Sequence, residues 1–239
     1  MKIKKIGWIF PLLITGFLII SIAGCKKDET SPEPKPEPIP LVQKFTDIDG
    51  NVYDTVHIGT QIWLKQNLKV TRYRNGDTIL NVRDNTEWQY KITGACCDYN
   101  NNATYSSTYG KIYNFYAIID SRNIAPYGWH VPSDAEWMTL INYLGGDNIA
   151  ADKLKETGSA HWTAPNTGAS NESGFTALPG GNRNYNGGFA DIENFGYWWS
   201  ATLRYSYSAW FQGIYCGSAT VHRDAYPMSG GLSIRCIKD

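Results

Sequence analysis

The stretch GWHVPSDAEWMTLINYL, Gly128 to Leu144, constrains this chain more than any other, because its cap, its period and its aromatic anchors agree on one local structure. Ser133 after Pro132 is a good N-cap. Glu136, three residues on, can return its carboxylate to the free N–H groups of the first turn, as in a capping box. Trp137, Leu140, Ile141 and Leu144 recur at i, i+3, i+4 and i+7, so one face of the predicted helix is apolar, and Gly145-Gly146 stops it. His130, just before the cap, reads as a structural hydrogen-bonder to this turn.

The other constraint is at the N-terminus. Lys2, Lys4 and Lys5 precede an apolar run from Trp8 to Ile22 that is too short for a retained span and ends in Ile22-Ala23-Gly24-Cys25. This is the pattern of an export signal over residues 1–24. The ending resembles the bacterial lipobox, which implies acylation of Cys25 (palmitate among the chains) and a membrane attachment through its lipid. Lys26-Lys27-Asp28-Glu29 is similar to the lysine-plus-two-acids signal that sends Bacteroidota lipoproteins to the outer face of the outer membrane. The resemblance therefore implies an outer-membrane, cell-surface lipoprotein. Thr30 to Pro40 has proline at nearly every second position, which predicts an extended polyproline II tether, so that residues 25–44 form a lipidated spacer.

From Phe45 onward the sequence is that of a folded domain, residues 45–239. Phe45 to Ile79 alternates like short antiparallel strands, with turns at Asp49-Gly50, Gly59-Thr60 and Asn75-Gly76-Asp77. Asp47, Asp49 and Asn51 have the spacing of a calcium loop, but Ile58 stands where a bidentate acid would close it, so an Asp-Gly turn is expected and no metal. Asn100 to Thr108 reads as a polar loop, and Tyr113, Phe115 and Tyr116 are expected beneath the main helix. Asp147 to Glu156 predicts a second short helix. The segment after it, rich in Gly and Asn, needs buried anchors such as Trp162, Phe175, Trp198 and Trp199. Tyr207–Tyr215, Ala219–Tyr226 and Leu232–Ile237 read as three closing strands.

These blocks carry a family resemblance. DIDGNVYDTVHIGTQIWLKQNLK, APYGWHVPSDAEWMTL, GFTALPGGNRNYNGGF, YWWSAT and GLSIRCIKD, in that order, closely resemble the Fibrobacter succinogenes major paralogous domain, found in secreted or lipid-anchored bacterial proteins. The end blocks are also similar to the C-type-lectin-like and formylglycine-generating-enzyme superfold, in which a P-[ST]-x-x-E-W helix packs under a last strand reading G-[FL]-x-x-R-C. The resemblance implies an α+β, C-type-lectin-like fold with irregular loops from Trp199 to Gly231 as its exposed face. Fold likeness alone does not assign function.

Export exposes thiols to oxidation, so with Cys25 reserved for lipid the remaining Cys96, Cys97, Cys216 and Cys236 are disulfide candidates with three pairings. In the family a cysteine before the P-x-G-W-H-V-P block faces the last strand. That position is Ala125 here, which turns Cys236 toward Cys96 or Cys97.

No catalytic constellation is legible. The oxidase chemistry of the superfold needs a close cysteine pair near the C-terminus, and Cys216 and Cys236 lack the spacing. There is no G-x-S-x-G or H-E-x-x-H, the four histidines are scattered, and Asp191 with Glu193 on a turn reads as solvated rather than as a glycosidase pair. The calcium-dependent sugar loop of true C-type lectins is missing from the folded region. Lysines and arginines balance aspartates and glutamates overall, with no basic stripe, which excludes a nucleic-acid partner. No cofactor is indicated. What remains is an aromatic and basic set: Arg204, Tyr205, Tyr207, Trp210, Tyr215, His222, Arg223 and Tyr226. At strand period about half should face outward. The expected function is a non-enzymatic binding or adhesion module for an extracellular glycan or protein. A structural or assembly role in the cell envelope is the alternative, and an oxidase or other enzyme comes third.

Overall fold

The computed structural model describes residues 43–239. The export signal, Cys25 and the proline-rich tether lie outside the described residues.

A meander opens the fold: β1 (Lys44–Thr46), β2 (Val52–Ile58) and β3 (Gln61–Leu64), each antiparallel to the next. Period-two burial places Tyr53 and Thr55 inward. The turn before β2 is held by Asp47, whose Oδ1 accepts the Asp49 and Asn51 backbone N–H groups at 2.9 Å each. Its Oδ2 accepts the Tyr53 hydroxyl at 2.7 Å. That carboxylate is occupied by an Asx-type turn.

Next come β4 (Leu80–Asn81), α1 (Asn85–Gln89), β5 (Ala95–Cys97), α2 (Ala103–Tyr109), β6 (Ile112–Asn114) and α3 (Phe115–Ile118). Here the expected polar loop is corrected. Asn102 caps α2 through its side chain, and burial of Ser106 and Tyr109 gives this short helix the interior face that its composition hides.

After β7 (Trp129–His130), α4 (Asp134–Tyr143) and α5 (Asp147–Leu154) follow as expected. Both halves of the α4 capping box form: Glu136 N–H donates to Ser133 Oγ at 3.2 Å, and Ser133 N–H donates to Glu136 Oε2 at 2.7 Å. Trp137, Leu140, Ile141 and Leu144 are all buried. The chain ends with β8 (Asn182–Arg183), β9 (Phe189–Ala190), β10 (Phe195–Tyr205), β11 (Ser208–Tyr215), β12 (Val221–Pro227), β13 (Gly231–Leu232) and β14 (Ile237–Lys238).

These strands form three sheets, ordered β1-β2-β3-β14-β7, β4-β5-β6-β13-β8-β9 and β10-β11-β12. The fold is α+β, mostly short strands with a few short helices. Two expectations about its C-terminal part are corrected. Trp199 to Gly231 is mostly an antiparallel sheet rather than irregular loops, with two register shifts between β10 and β11; β11 and β12 fall where strands were expected, whereas β10 has no clear sequence signal because Gly196 and small polar residues interrupt the apolar alternation. Leu232–Ile237 is no single strand. It splits into β13 and β14, which join two different sheets.

The interior has three clusters. One surrounds Trp199, Tyr113 and Phe115; a second surrounds Trp63, Trp137, Phe175 and Trp198; a smaller third holds Val82, Trp88 and Tyr99. Successive Trp198 and Trp199 point to opposite faces of β10, so each anchors a different cluster. Tyr113 and Phe115, expected under α4, pack against Trp199 instead, with the half-buried Tyr116 beside them. On the last segment it is Ile237 that joins α4, while Cys236 faces the first cluster.

Cys96, Cys97, Cys216 and Cys236 are all buried, free thiols. Cys96 and Cys97 lie on opposite faces of β5 and enter different clusters, and Cys216 lies in the cluster of α4.

Three buried cations tie these layers together without a fully buried acid. Lys155 Nζ donates to the Thr167 and Ser218 carbonyls at 2.6 and 2.9 Å. Arg235 donates to carbonyls of Leu64, Lys65 and Phe175 and to Asn67 Oδ1. Arg183 donates to carbonyls of Val82, Arg83, Asp84 and Gly187 and to Asn85 Oδ1. Most of these carbonyls lie in irregular segments that have no ladder to join, Leu64 at the end of β3 being an exception.

Candidate functional site

The pairing of β10, β11 and β12 sorts the aromatic residues of the last third of the chain onto two faces. Trp198 pairs with Gln212, which pairs with Arg223; Ile214 pairs with Val221. This face turns toward α4. The opposite face carries Phe195, Tyr197 and Trp199 on β10, Phe211 and Tyr215 on β11, and His222, Asp224 and Tyr226 on β12.

On that opposite face the rings run together. Phe195 stacks on Tyr215 at 4.6 Å and on Tyr197 at 5.4 Å, Tyr197 meets Phe211 edge-on at 5.8 Å, and Phe211 meets Tyr226 at 6.0 Å. Trp199 closes the row against the interior, 6.1 Å from Tyr226, its indole N–H bonded to the Tyr113 carbonyl. The outer rings are half-buried or exposed, so one flank of each stays open.

Two cavities lie along this row and share Tyr197 and Phe211. The larger, about 450 Å³, is bounded by Phe195, Tyr215, Gly213, His222 and Asp224. The smaller, about 180 Å³, is bounded by Tyr226, Leu232, Asn182, Asn184 and Asp191. Gly213 lies under the Tyr197 ring: a Cβ there would come within 3.1 to 3.2 Å of it.

The polar end is built by β8 and the turn before β10. Asn182 Nδ2 donates to Tyr226 Oη and Asn184 Oδ1, at 3.0 and 3.1 Å, and Tyr226 Oη donates to Asn184 Oδ1 at 2.9 Å. Tyr197 Oη donates to Asp191 Oδ2 at 3.1 Å. Burial, reinforced for Tyr197 by the nearby Asp191 charge, pushes both phenols above their ordinary pKa, so each stays a hydrogen-bond donor at neutral pH. Asp191 and Glu193 are exposed in a turn with φ of 67° and 65° and do not face each other across a cleft.

The eight residues singled out from sequence separate into three groups. Tyr215, His222 and Tyr226 line the groove. Trp210, Arg204 and Arg223 form a tie beside it: the two guanidinium carbons lie 4.4 and 3.7 Å from the Trp210 ring centroid. Arg223 is forked onto Asp134 at 2.8 and 2.6 Å, and Arg204 pairs with Asp224 at 2.8 Å. Tyr205 and Tyr207 stack at the exposed tip of the β10–β11 hairpin, 5.9 Å apart.

Sequence reasoning missed Phe195, Tyr197, Phe211, Asn182 and Asn184. The first three were within reach, since counting back by twos from Tyr215 gives Phe211, and the cross-strand partners follow once β10 is recognised. The asparagines come from a distant strand and had no local signal.

Another cavity, about 300 Å³ between β1 and Ile124–Tyr127, is lined by Phe45, Ile48, Val70, Arg72 and Arg74. Its arginines are committed, Arg74 to the carbonyls of Ala125, Pro126 and Trp129 and Arg72 to Asp49. It therefore offers a ligand less directional recognition than the aromatic groove. His130 is held away from both, Nε2 2.8 Å from Glu136 Oε1 and Nδ1 2.7 Å from Asp239 Oδ1. Among the described residues no cluster of three His, Cys, Asp or Glu could hold a metal ion.

The model of one protein family, described as the Fibrobacter succinogenes major domain, matches residues 56–238 of the chain. Neither a curated protein nor a solved structure matches it.

Proposed function

The chain belongs to the Fibrobacter succinogenes major domain family, and from that premise we propose a non-enzymatic, lipid-anchored protein displayed on the outer membrane, binding an extracellular partner through the sheet face of β10–β12. The observation that carries this reading is the continuous row of partly open rings ending in an amide–phenol network. These groups offer stacking and directed hydrogen bonds, the chemistry of recognition. The four domain cysteines are buried among three clusters, Cys96 and Cys236 sharing one, and burial pushes the Cys236 thiol up to about 12, which suits packing better than oxidase chemistry. The capped α4 sharing a cluster with Ile237, the residue directly after the G-L-x-x-R-C segment, supports a C-type-lectin-like arrangement. The expected partner is a glycan or a protein.

The test is binding of the detergent-solubilised full chain to arrayed glycans and extracellular proteins, beside Tyr197→Ala, with protease shaving of whole cells. Array binding that falls about tenfold in the variant, with shaving removing the domain, is the expected result. Absence of groove-dependent binding, with the protein held in a stable envelope complex, would replace this reading by a structural or assembly role.

A further inference from the structure

Donor and acceptor numbers at the groove's polar end do not balance. In the network of Asn182, Asn184 and Tyr226, both Nδ2 hydrogens of Asn182 and the Tyr226 hydroxyl hydrogen are spent, two of the three on Asn184 Oδ1. Asn182 Oδ1 is left with no donor among the described residues. Asn182 is only 5% exposed and lines the smaller cavity, and its Oδ1 has almost no solvent access of its own, so an external donor would reach it from that cavity with a shift of the amide. An unpaired buried acceptor carries a full desolvation cost, and a ligand hydroxyl placed there removes it. Beside it, Asp191 adds acceptor capacity at the edge of the same cavity.

Among the described residues the groove also lacks an available fixed cation. Arg223 borders the larger cavity, but its guanidinium is forked onto Asp134 and stacked on Trp210, and Arg204 is paired with Asp224. Among the described residues His222 is the one remaining basic side chain at the margin. Carboxylated or sulfated ligands would meet the Asp191 carboxylate with no free guanidinium or ammonium among the described residues of the groove to offset it.

Resting on the reading of this groove as a binding site, we infer that it takes a neutral, hydroxyl-rich saccharide chain. One sugar ring enters the Asn182–Asn184–Asp191 cavity and gives hydroxyl hydrogens to its acceptors, and the next unit lies across Tyr197, Phe211 and Tyr215. The C–H face of a pyranose is apolar and the ring edge carries hydroxyls, so a ring lying flat on an aromatic face presents its donors sideways, where the amides are. Two cavities divided by Tyr197 and Phe211 fit a chain of at least two units.

The experiment is saturation-transfer NMR on the full chain in detergent micelles. The probes are neutral hexaoses of glucose, xylose, mannose, galactose and N-acetylglucosamine, with hexagalacturonate as the acidic comparator. The expected result is transfer to at least one neutral hexaose, with affinity reduced about tenfold by Tyr197→Ala and about fivefold by Tyr226→Phe, and unchanged by Tyr90→Ala. Tyr226→Phe keeps the ring and its packing, so it reports the hydroxyl even where Tyr197→Ala perturbs folding, and far-ultraviolet circular dichroism checks each variant. Stronger, Tyr197-dependent binding of hexagalacturonate overturns the inference. So does Tyr197-dependent binding of an arrayed protein with no neutral hexaose bound, which leaves the broader binding role standing. Loss of all Tyr197-dependent binding overturns both.

Discussion

Arg183 shows how one side chain can matter more than its sequence context suggests. It sits in a two-residue strand among glycines and asparagines, yet it is fully buried, with its guanidinium 4.4 Å from the Trp88 ring centroid and 4.7 Å from that of Phe189. Its five hydrogen bonds satisfy carbonyls of residues 82–84 and 187 and the Asn85 side chain. Arg183→Met leaves most of those acceptors buried without donors, so urea unfolding should show a loss of at least about 3 kcal/mol. Arg183→Lys cannot span the fork and should recover only part of it. Because Asn182 and Asn184 flank this clamp, the lysine variant should also weaken groove binding. A variant as stable as the wild type would show that the carbonyls find other partners.

His130 invites a pH test. Burial alone would lower its pKa from 6.5, but the Glu136 and Asp239 hydrogen bonds and charges outweigh burial and raise it. For Glu136 burial works upward, and is outweighed by the Ser133 backbone N–H and His130, so its pKa falls below 4.5. A raised histidine stabilises fully below pH 6.5 and loses that contribution as pH rises through its folded value. A depressed carboxylate contributes above pH 4.5 and loses its contribution as pH falls through its folded value. This contribution is therefore complete between those limits. The Tm of the wild type should decline from about pH 6 to about pH 8.5 by more than that of His130→Gln. Parallel Tm profiles would show that the pair adds nothing to stability.

Among the elements, α4 was fully legible because a helix carries its own cap, period and stop within a dozen residues. The β10–β11 hairpin was not, since its meaning lies in cross-strand register. The eight aromatic and basic residues of the C-terminal region were found as a set, but only pairing reveals that Tyr215 and Tyr226 share a face with Tyr197 while Trp210 belongs to a tie with Asp134. Gly213 has the same kind of hidden role. Opposite Tyr197 on β11, it lets the phenol ring lie close over the strand. Gly213→Ala puts a methyl about 0.3 to 0.5 Å closer to that ring than ordinary contact allows, and the ring must shift. Ligand affinity should fall about threefold to tenfold with little change in Tm, because alanine also favours the strand over glycine. A large drop in Tm with unchanged affinity would show that Gly213 serves the sheet rather than the groove.

For the whole molecule, the family and the α+β class were readable because blocks such as GWHVPSDAEW and GLSIRCIKD encode packing that cannot vary much. In the second, Ile234, Arg235, Cys236 and Ile237 are all buried, Ile234 and Cys236 in one cluster, Ile237 in the other and Arg235 over Phe175 of that second cluster. The buried cations and the groove were not readable, since they depend on carbonyls or side chains far away in sequence, up to 171 residues for Arg235. The remaining question at this scale is where the domain is held. Residues 1–24 and the Cys25 that follows have the pattern of export and lipid attachment, and the domain is proposed to stand on the cell surface behind the proline-rich tether. Acyl chains contribute about 0.8 kcal/mol per buried CH₂, so their loss should release the protein from the membrane outright. Cys25→Ser should abolish incorporation of labelled palmitate and, where the precursor is still exported, shift the protein from the membrane pellet to the soluble fraction. Tyr197→Ala, with Cys25 intact, should stay in the pellet and on the cell surface while losing its ligand. If Cys25→Ser remains in the membrane fraction after carbonate extraction, the apolar run from Trp8 to Ile22 is itself the anchor. If it leaves the membrane but the wild type resists protease shaving, the lipid faces the periplasm and an envelope role replaces surface binding.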